Sequence, residues 1–398
     1  LFSIGGFTFV VFKTYKMNDM KGKQGLVCMG LLLVLSSCSC HTGKQITASG
    51  LQRKDFQTEV NGQHTDLFTL SNKQGMEVCI TNYGARVVSI LVPDRNGKRE
   101  DVVCGFSTIT EYMEQRQNFG STVGRYIGRI LNARFTLDGV EYKLVPNNGK
   151  SGHISHGGNP GFADRIWKVE QADTHRVRLS YLSPDGENGF PGNLKVTLVY
   201  SLGEDDNALD LTYEATTDAP TVLNLSHHSF FNISGNFTKS VEDQQLWVDA
   251  DRFTPYDDKK CVTGEYLPVA GTPLDFRMPH TIGECIDADH PQLKVVNGYD
   301  HTWELNTKGD DTRPAAWVYD PASGRKMEIF TTEPGMQIYT GNGLKGKMTG
   351  KGGIAYPFRS AVCFETMHFQ DSPNQPGFPS TVLRPGEVFR SHTVYKFE

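Results

Sequence analysis

Leu209-Asp210-Leu211-Thr212-Tyr213-Glu214-Ala215-Thr216 alternates apolar and polar side chains without a break. Successive side chains of an extended strand point to opposite faces, so this stretch reads as a strand with one dry face and one wet face. Val196, Leu198 and Tyr200 repeat the pattern one strand earlier, and Val177, Leu179 and Tyr181 one strand before that. Turn signals separate them: Ser183-Pro184-Asp185-Gly186, Phe190-Pro191-Gly192, and Gly203-Glu204-Asp205-Asp206-Asn207. Met76, Val78 and Ile80, then Met327 and Ile329, then Gln337 to Thr340 read the same way. Helix signals are few. Thr108 with Glu111, and Thr281 with Glu284, each make a capping-box start. Strands joined by short turns, without alternating helices, predict an all-β fold: a large antiparallel β-sandwich with few short helices.

Composition supports this and excludes other classes. The 41 Gly and 19 Pro among 398 residues make the chain turn-rich, while 11% aromatics make it too apolar for disorder. Forty basic against 45 acidic residues leave a net charge of −5. A nucleic-acid partner would need a concentrated Lys/Arg surface, so none is expected.

The first residues form a separate segment. From Met20 the chain reads Lys21, Lys23, the apolar run Leu26 to Leu35, then Ser36-Ser37-Cys38. A basic head, a short apolar stretch and small residues before a cut describe a secretory signal. The run is shorter than the ~20 residues a membrane span needs. Leu35-Ser36-Ser37-Cys38 resembles the bacterial lipoprotein box, with Cys38 lipidated as the mature N-terminus. The expected division is 1–37 upstream residues and signal peptide, 38–55 tether, and 56–398 one domain. That implies an exported protein facing the periplasm or cell surface, held to the membrane only through its N-terminal lipid. A monomer or weak dimer is expected. Cys79, Cys104, Cys261, Cys285 and Cys363 remain in the body, odd in number and without a CxxC pair, so no disulfide framework and no zinc site is read from them.

Proton-transferring side chains gather in four turn-rich segments: Ser151 to Gly158, Asn224 to Asn232, Asn297 to His301, and Val362 to His368. Strand parity sorts them. His227 and His228 face opposite ways if extended, so only one can share a given site; His228 aligns with Phe230 and Asn232. Glu365 shares a face with Cys363 and Met367, while His368 points away. A carboxylate among apolar neighbours is partly desolvated, which raises its pKa toward the range of a useful general base. His153 and His156 with His227 or His228 could supply three imidazoles to zinc, but no HExxH spacing exists, and no metal is expected. Gly120 to Gly128 is glycine-rich yet matches neither a Walker loop nor GxGxxG, so no nucleotide cofactor is expected either.

Over roughly residues 60 to 398 the chain resembles the aldose 1-epimerase (galactose mutarotase) family. The matching stretches are Gly120 with Gly124-Arg125-Tyr126 and Arg129-Ile130, Pro146-Asn147-Asn148 before His156-Gly157-Gly158, and Ser183-Pro184-Asp185-Gly186-Glu187 before Pro191-Gly192. Asn224-Leu225-Ser226-His227-His228, Asn297-Gly298-Tyr299-Asp300-His301 and Pro334 to Asn342 follow in order. Glu365-Thr366, Pro373-Asn374-Gln375-Pro376 and Leu383 to Glu387 complete the series.

The resemblance implies a β-supersandwich that binds a free aldohexose such as glucose or galactose and interconverts its anomers without a cofactor. It implies Glu365 as general base and His228 as general acid. It places Arg129, His156, Asp300 and Gln337 at the sugar, with Phe230 beside them. Three positions depart from the family's common pattern. Gly128 stands where Asn commonly precedes the binding Arg, His227-His228 where Asn-His is common, and Phe230 where Tyr is common. Two other readings stay open at this stage: a glycoside hydrolase using Glu365 and Asp300 across a glycosidic bond, and a non-catalytic sugar-binding lipoprotein.

Overall fold

The computed structural model describes residues 2–4, 7–9 and 45–398. Phe2–Ile4 and Phe7–Phe9 form a small antiparallel pair of their own. The Leu26–Leu35 run and Cys38 lie outside the described residues. Within the stretch read as tether, Thr47 and Leu51 are buried, and the Ala48 and Ser49 amides donate to the Glu77 carboxylate.

The alternating segments form the centre of a nine-stranded antiparallel sheet. Its order is Lys168–Ala172, Arg176–Ser183, Leu194–Leu202, Ala208–Thr217, Phe389–Phe397, Lys326–Thr331, Ala316–Tyr319, Gln245–Val248, His280–Thr281. Leu194, Val196, Leu198, Tyr200 and Leu202 are all buried while Lys195 between them is exposed, as strict period two requires. Register follows the apolar set, with Leu198 opposite Tyr213 and Tyr200 opposite Leu211. A slip of one residue would turn every one of these side chains to water.

A six-stranded antiparallel sheet packs against this dry face. Its order is Phe230–Phe231, Val362–Met367, Gly335–Tyr339, Asp300–Glu304, Arg252–Thr254, Leu267–Pro268. Trp303, Met336, Ile338 and Phe364 from its back face join Leu198, Tyr200 and Leu211 in one hydrophobic core. Each such side chain stabilises the fold by roughly 1.5–3 kcal/mol. Leu67–Ser71, Glu77–Thr81, Arg86–Pro93 and Arg99–Asp101 form a four-stranded sheet whose Val78, Ile80, Val87 and Ile90 extend the same core.

The helical expectations divide. Ile109–Gln115 is a helix, and its Thr108–Glu111 capping box is formed in both directions. Thr281–Glu284 starts no helix. Thr281 is committed to the sheet edge opposite Gln245, and the Glu284 amide merely closes a turn on the Thr281 carbonyl. The helix nearby is Pro291–Val296, opened by proline and ended by Asn297 in the left-handed region at φ +61. No helix among the described residues is long and apolar enough to cross a membrane. Cys79, Cys104 and Cys363 are buried thiols, and Cys261 and Cys285 are half-buried.

Candidate active site

Ladder register builds the floor of the site. Gln337 lies opposite Glu365 on one side and Thr302 on the other, so the three share a face. Period two adds Asp300 beside Thr302, Tyr339 beside Gln337, and Cys363 and Met367 beside Glu365. Phe230 lies opposite Cys363 and joins the same face from the next strand. The other face of these strands is the core, which is why Val362–Met367 is buried throughout. The parity reading of Cys363, Glu365 and Met367 is met.

The wall comes from two short ladders. Ser226–His228 pairs with Ser121–Val123, which places His228 opposite Ser121. Arg129–Ile130 pairs with Ile154–Ser155, which sets Arg129 beside His156. His156 adopts φ +53, its amide donates to the Gly128 carbonyl at 2.8 Å, and its Nδ1 accepts from the Gly128 amide at 3.4 Å. With Nδ1 accepting, the ring proton sits on Nε2. Asn224 joins wall to floor: its carboxamide donates to the His368 carbonyl and accepts from the His368 amide, three residues beyond Glu365.

These elements enclose a cavity of about 250 Å³ lined by every sugar-site residue read from the sequence: Arg129, His156, His228, Phe230, Asp300, Gln337 and Glu365. His228 Nε2 stands 3.4 Å from Glu365 Oε1, with both side chains at least nine-tenths buried. The Phe230 ring stacks on the His228 imidazole at 5.0 Å and 15°, and the His156 ring meets it edge-on at 5.5 Å. His227 turns away into the core, between Tyr200 and Tyr395, with Nε2 2.6 Å from the Ser229 hydroxyl. His368 likewise leaves the site and pairs with Glu333 at 2.7 Å.

Burial sets the protonation chemistry. It pushes the Glu365 carboxyl well above its usual range, and Asp300 adds to the rise. It pushes the His228 imidazole well below its usual range, with His156 and His227 adding to the fall. Burial and then Arg129 bring His156 down to about 4, so at neutral pH it is an uncharged N–H donor. Glu365 is thereby a stronger base, and the His228 cation a stronger acid, than either would be in water. Arg129 has no ion-pair partner among the described residues; one guanidinium nitrogen lies 3.5 Å from the Lys260 carbonyl.

A metal fits this site poorly. His228, Cys363 and Glu365 bring ligand atoms within 4.8 Å of one another. Burial raises the Cys363 thiol well above its usual range, so a thiolate ligand would have to form against that shift. The three-imidazole set is not assembled. His153 instead accepts the Asn132 amide on Nδ1 and faces the Cys261 sulfur with Nε2 at 3.3 Å.

The aldose 1-epimerase family model matches residues 66–396. The chain belongs to the aldose 1-epimerase family. It is 39% identical to the galactose mutarotase of Sus scrofa over 330 residues, 83% of this chain and 93% of that one. It is 36% identical to the aldose 1-epimerase of Escherichia coli (strain K12) over 339 residues, 85% of this chain and 96% of the other. A solved GalM/aldose epimerase homologue from C. elegans superimposes with a TM-score of 0.77 at 31% identity, covering 84% of this chain and 99% of its own. The galactose 1-epimerase from Lactobacillus acidophilus does so at 0.74 with 28% identity, covering 86% and 97%.

Several family motifs turn out to be structural. Arg125 is buried, and its guanidinium donates to Ser183, to the Pro184, Pro191 and Gly192 carbonyls and to Thr221. Ser183-Pro184-Asp185-Gly186-Glu187 and Pro191-Gly192 thus wrap one buried cation, with Glu187 bound to Ser183, Tyr181 and Arg165. Sequence reasoning missed Gln117, Asn118, Tyr339 and Gln370, which also line the cavity. Gln117 and Asn118 sit in a loop with no periodicity. The Arg86 guanidinium holds that loop through the Gln117 and Phe119 carbonyls.

Proposed function

We propose that this isomerase interconverts the α and β anomers of free aldohexoses, glucose and galactose among them, with Glu365 as base and His228 as acid. The observation that carries the reading is the buried Glu365–His228 contact at 3.4 Å, whose two partners are shifted in opposite directions by burial. Glu365 takes the proton of the anomeric hydroxyl as C1–O1 becomes a carbonyl. The C1–O5 bond breaks, its electron pair goes to O5, and His228 supplies the proton. Rotation about C1–C2 presents the other carbonyl face, and the same two transfers run backwards. The opening step leaves Glu365 and His228 both neutral, the state burial favours. Each acid–base contribution is typically ~10²–10⁴-fold. His156 offers its Nε2–H to the sugar, Arg129 its guanidinium, and Asp300, held by Gln337 Nε2 at 2.7 Å, an acceptor.

The test is anomer exchange by NMR or polarimetry on glucose, galactose and xylose, wild type beside Glu365→Gln. The amide keeps the shape and removes the base, so acceleration should fall by about 10²–10⁴-fold. Retained acceleration in Glu365→Gln would refute the base assignment. The hydrolase and binding-module readings gain no support from the relatives, which are mutarotases and epimerases.

Export and lipid attachment at Cys38 complete the reading, supported by the Lys21–Lys23 head, the Leu26–Leu35 run and the Ser36-Ser37-Cys38 ending. Metabolic labelling with a radioactive fatty acid should mark the wild type and leave Cys38→Ala unmarked; equal labelling would sink it.

A further inference from the structure

We propose that Gln370 is a substrate-contacting, specificity-determining residue whose carboxamide fills the space that a side chain at position 128 would claim. The inference rests on the anomerase reading above and extends it to a residue outside the acid–base pair.

Gly128 has φ +74, and a Cβ built there would lie 2.5 Å from Gln370 Cγ and 3.0 Å from its Cδ. Both backbone groups of Gly128 are committed to His156. A side chain at 128 and the present side chain at 370 therefore claim the same volume on the cavity wall. Gln370 occupies it and lines the cavity although only 5% of the residue is exposed. It reaches there from the turn after the Glu365 strand, which is laced to the Arg129 strand. The Asp371 amide donates to the Arg129 carbonyl, and Asp371 Oδ1 accepts from the Leu131 amide.

The amide of Gln370 has one orientation. Its Oε1 accepts the Arg129 amide at 3.2 Å, and its Nε2 donates to the Tyr256 hydroxyl at 2.7 Å and to Gln337 Oε1 at 3.3 Å. That orients the next amide. Gln337 Oε1 receives Gln370 and the Thr302 hydroxyl, so Gln337 Nε2 is the end that faces Asp300. Donors and acceptors thus run in one direction from the Arg129 backbone to the Asp300 carboxylate. Both Nε2 hydrogens of Gln370 are used, while Oε1 keeps a second lone pair. The group it can read is a pyranose hydroxyl acting as donor.

Four proteins test this on glucose, galactose, xylose and their monodeoxy analogues: wild type, Gln370→Leu, Gly128→Asn, and Gly128→Asn with Gln370→Ala. Thermal melts establish that each is folded. Wild-type acceleration of anomer exchange is measured first, and its absence would defeat the functional reading itself. Gln370→Leu keeps most of the volume and removes the amide; it should raise KM with a smaller change in kcat, a loss of about 2–10-fold in kcat/KM. One monodeoxy sugar should be penalised by the wild type and not by Gln370→Leu. Gly128→Asn alone should be worse than Gln370→Leu, because two side chains collide. The double variant should recover to within a few-fold of wild type. Unchanged kcat/KM in Gln370→Leu for every sugar, or a double variant no better than Gly128→Asn alone, would overturn the proposal.

Discussion

His392 should make this fold lose stability in mild alkali, and the size of the loss can be worked from its surroundings. On the outer face of the large sheet its Nε2 lies 2.6 Å from Asp210 and its Nδ1 2.6 Å from Asp311. Two acceptor-only neighbours leave the doubly protonated ring as the form that satisfies both. The hydrogen bond to Asp210 leads in pushing the imidazole from its ordinary 6.5 up to about 9, against the opposing effect of burial. A folded-state pKa above the unfolded one contributes fully below about pH 6.5 and is lost as pH rises through about 9. That gap corresponds to roughly 3 kcal/mol. With His392 31% and Asp210 34% exposed, solvent screening reduces the expected figure to about 1–2 kcal/mol. Urea denaturation of wild type and His392→Gln at pH 6 and pH 10 reads it directly. The wild type should be ahead by about 1–2 kcal/mol at pH 6, with most of that lead gone at pH 10. A lead that is the same at both pH values, or larger at pH 10, would refute the reasoning.

Two further predictions concern the site and its support. Glu365 and His228 titrate as a coupled pair, so kcat/KM should follow a bell with a broad top. The acid limb marks a second proton on the pair and the alkaline limb loss of the last one; a profile without any decline from about pH 4 to 10 would contradict shared proton transfer. Replacing Arg125 by Met strands the Pro184, Pro191 and Gly192 carbonyls in a dry interior. Stability should drop by ~3 kcal/mol or more, seen as a shift in urea midpoint; a loss below about 1 kcal/mol would show that water or rearrangement replaces the guanidinium.

Period two made most of the fold legible. Strands such as Leu194–Leu202 and Ala208–Thr217 have one wet face, so their sequence carries their geometry. The site was half legible for the same reason: parity alone put Glu365 with Cys363 and Met367 in the floor and separated His227 from His228 in the wall. Parity does not say which strands are neighbours. The Gln337–Glu365 and Thr302–Gln337 pairings join segments some 30 residues apart, and only the folded ladder supplies them. Thr281–Glu284 shows the opposite failure. A correct local capping signal lost to a sheet edge that needed Thr281 as a partner for Gln245. Gln370 was illegible because its importance comes from a void, the missing side chain at Gly128.

The doublet at 227 and 228 gives ladder alignment a chemical meaning. If the strand carrying it docked one residue out of step on Ser121–Val123, an imidazole would still arrive beside Glu365, but from the neighbouring position, with its own backbone reversed. Such a chain would keep its strands while its proton donor stood on a different backbone position, so its rate of sugar opening would differ. Catalytic titre, rather than yield of folded material, is therefore the measure of whether His228 has seated opposite Ser121.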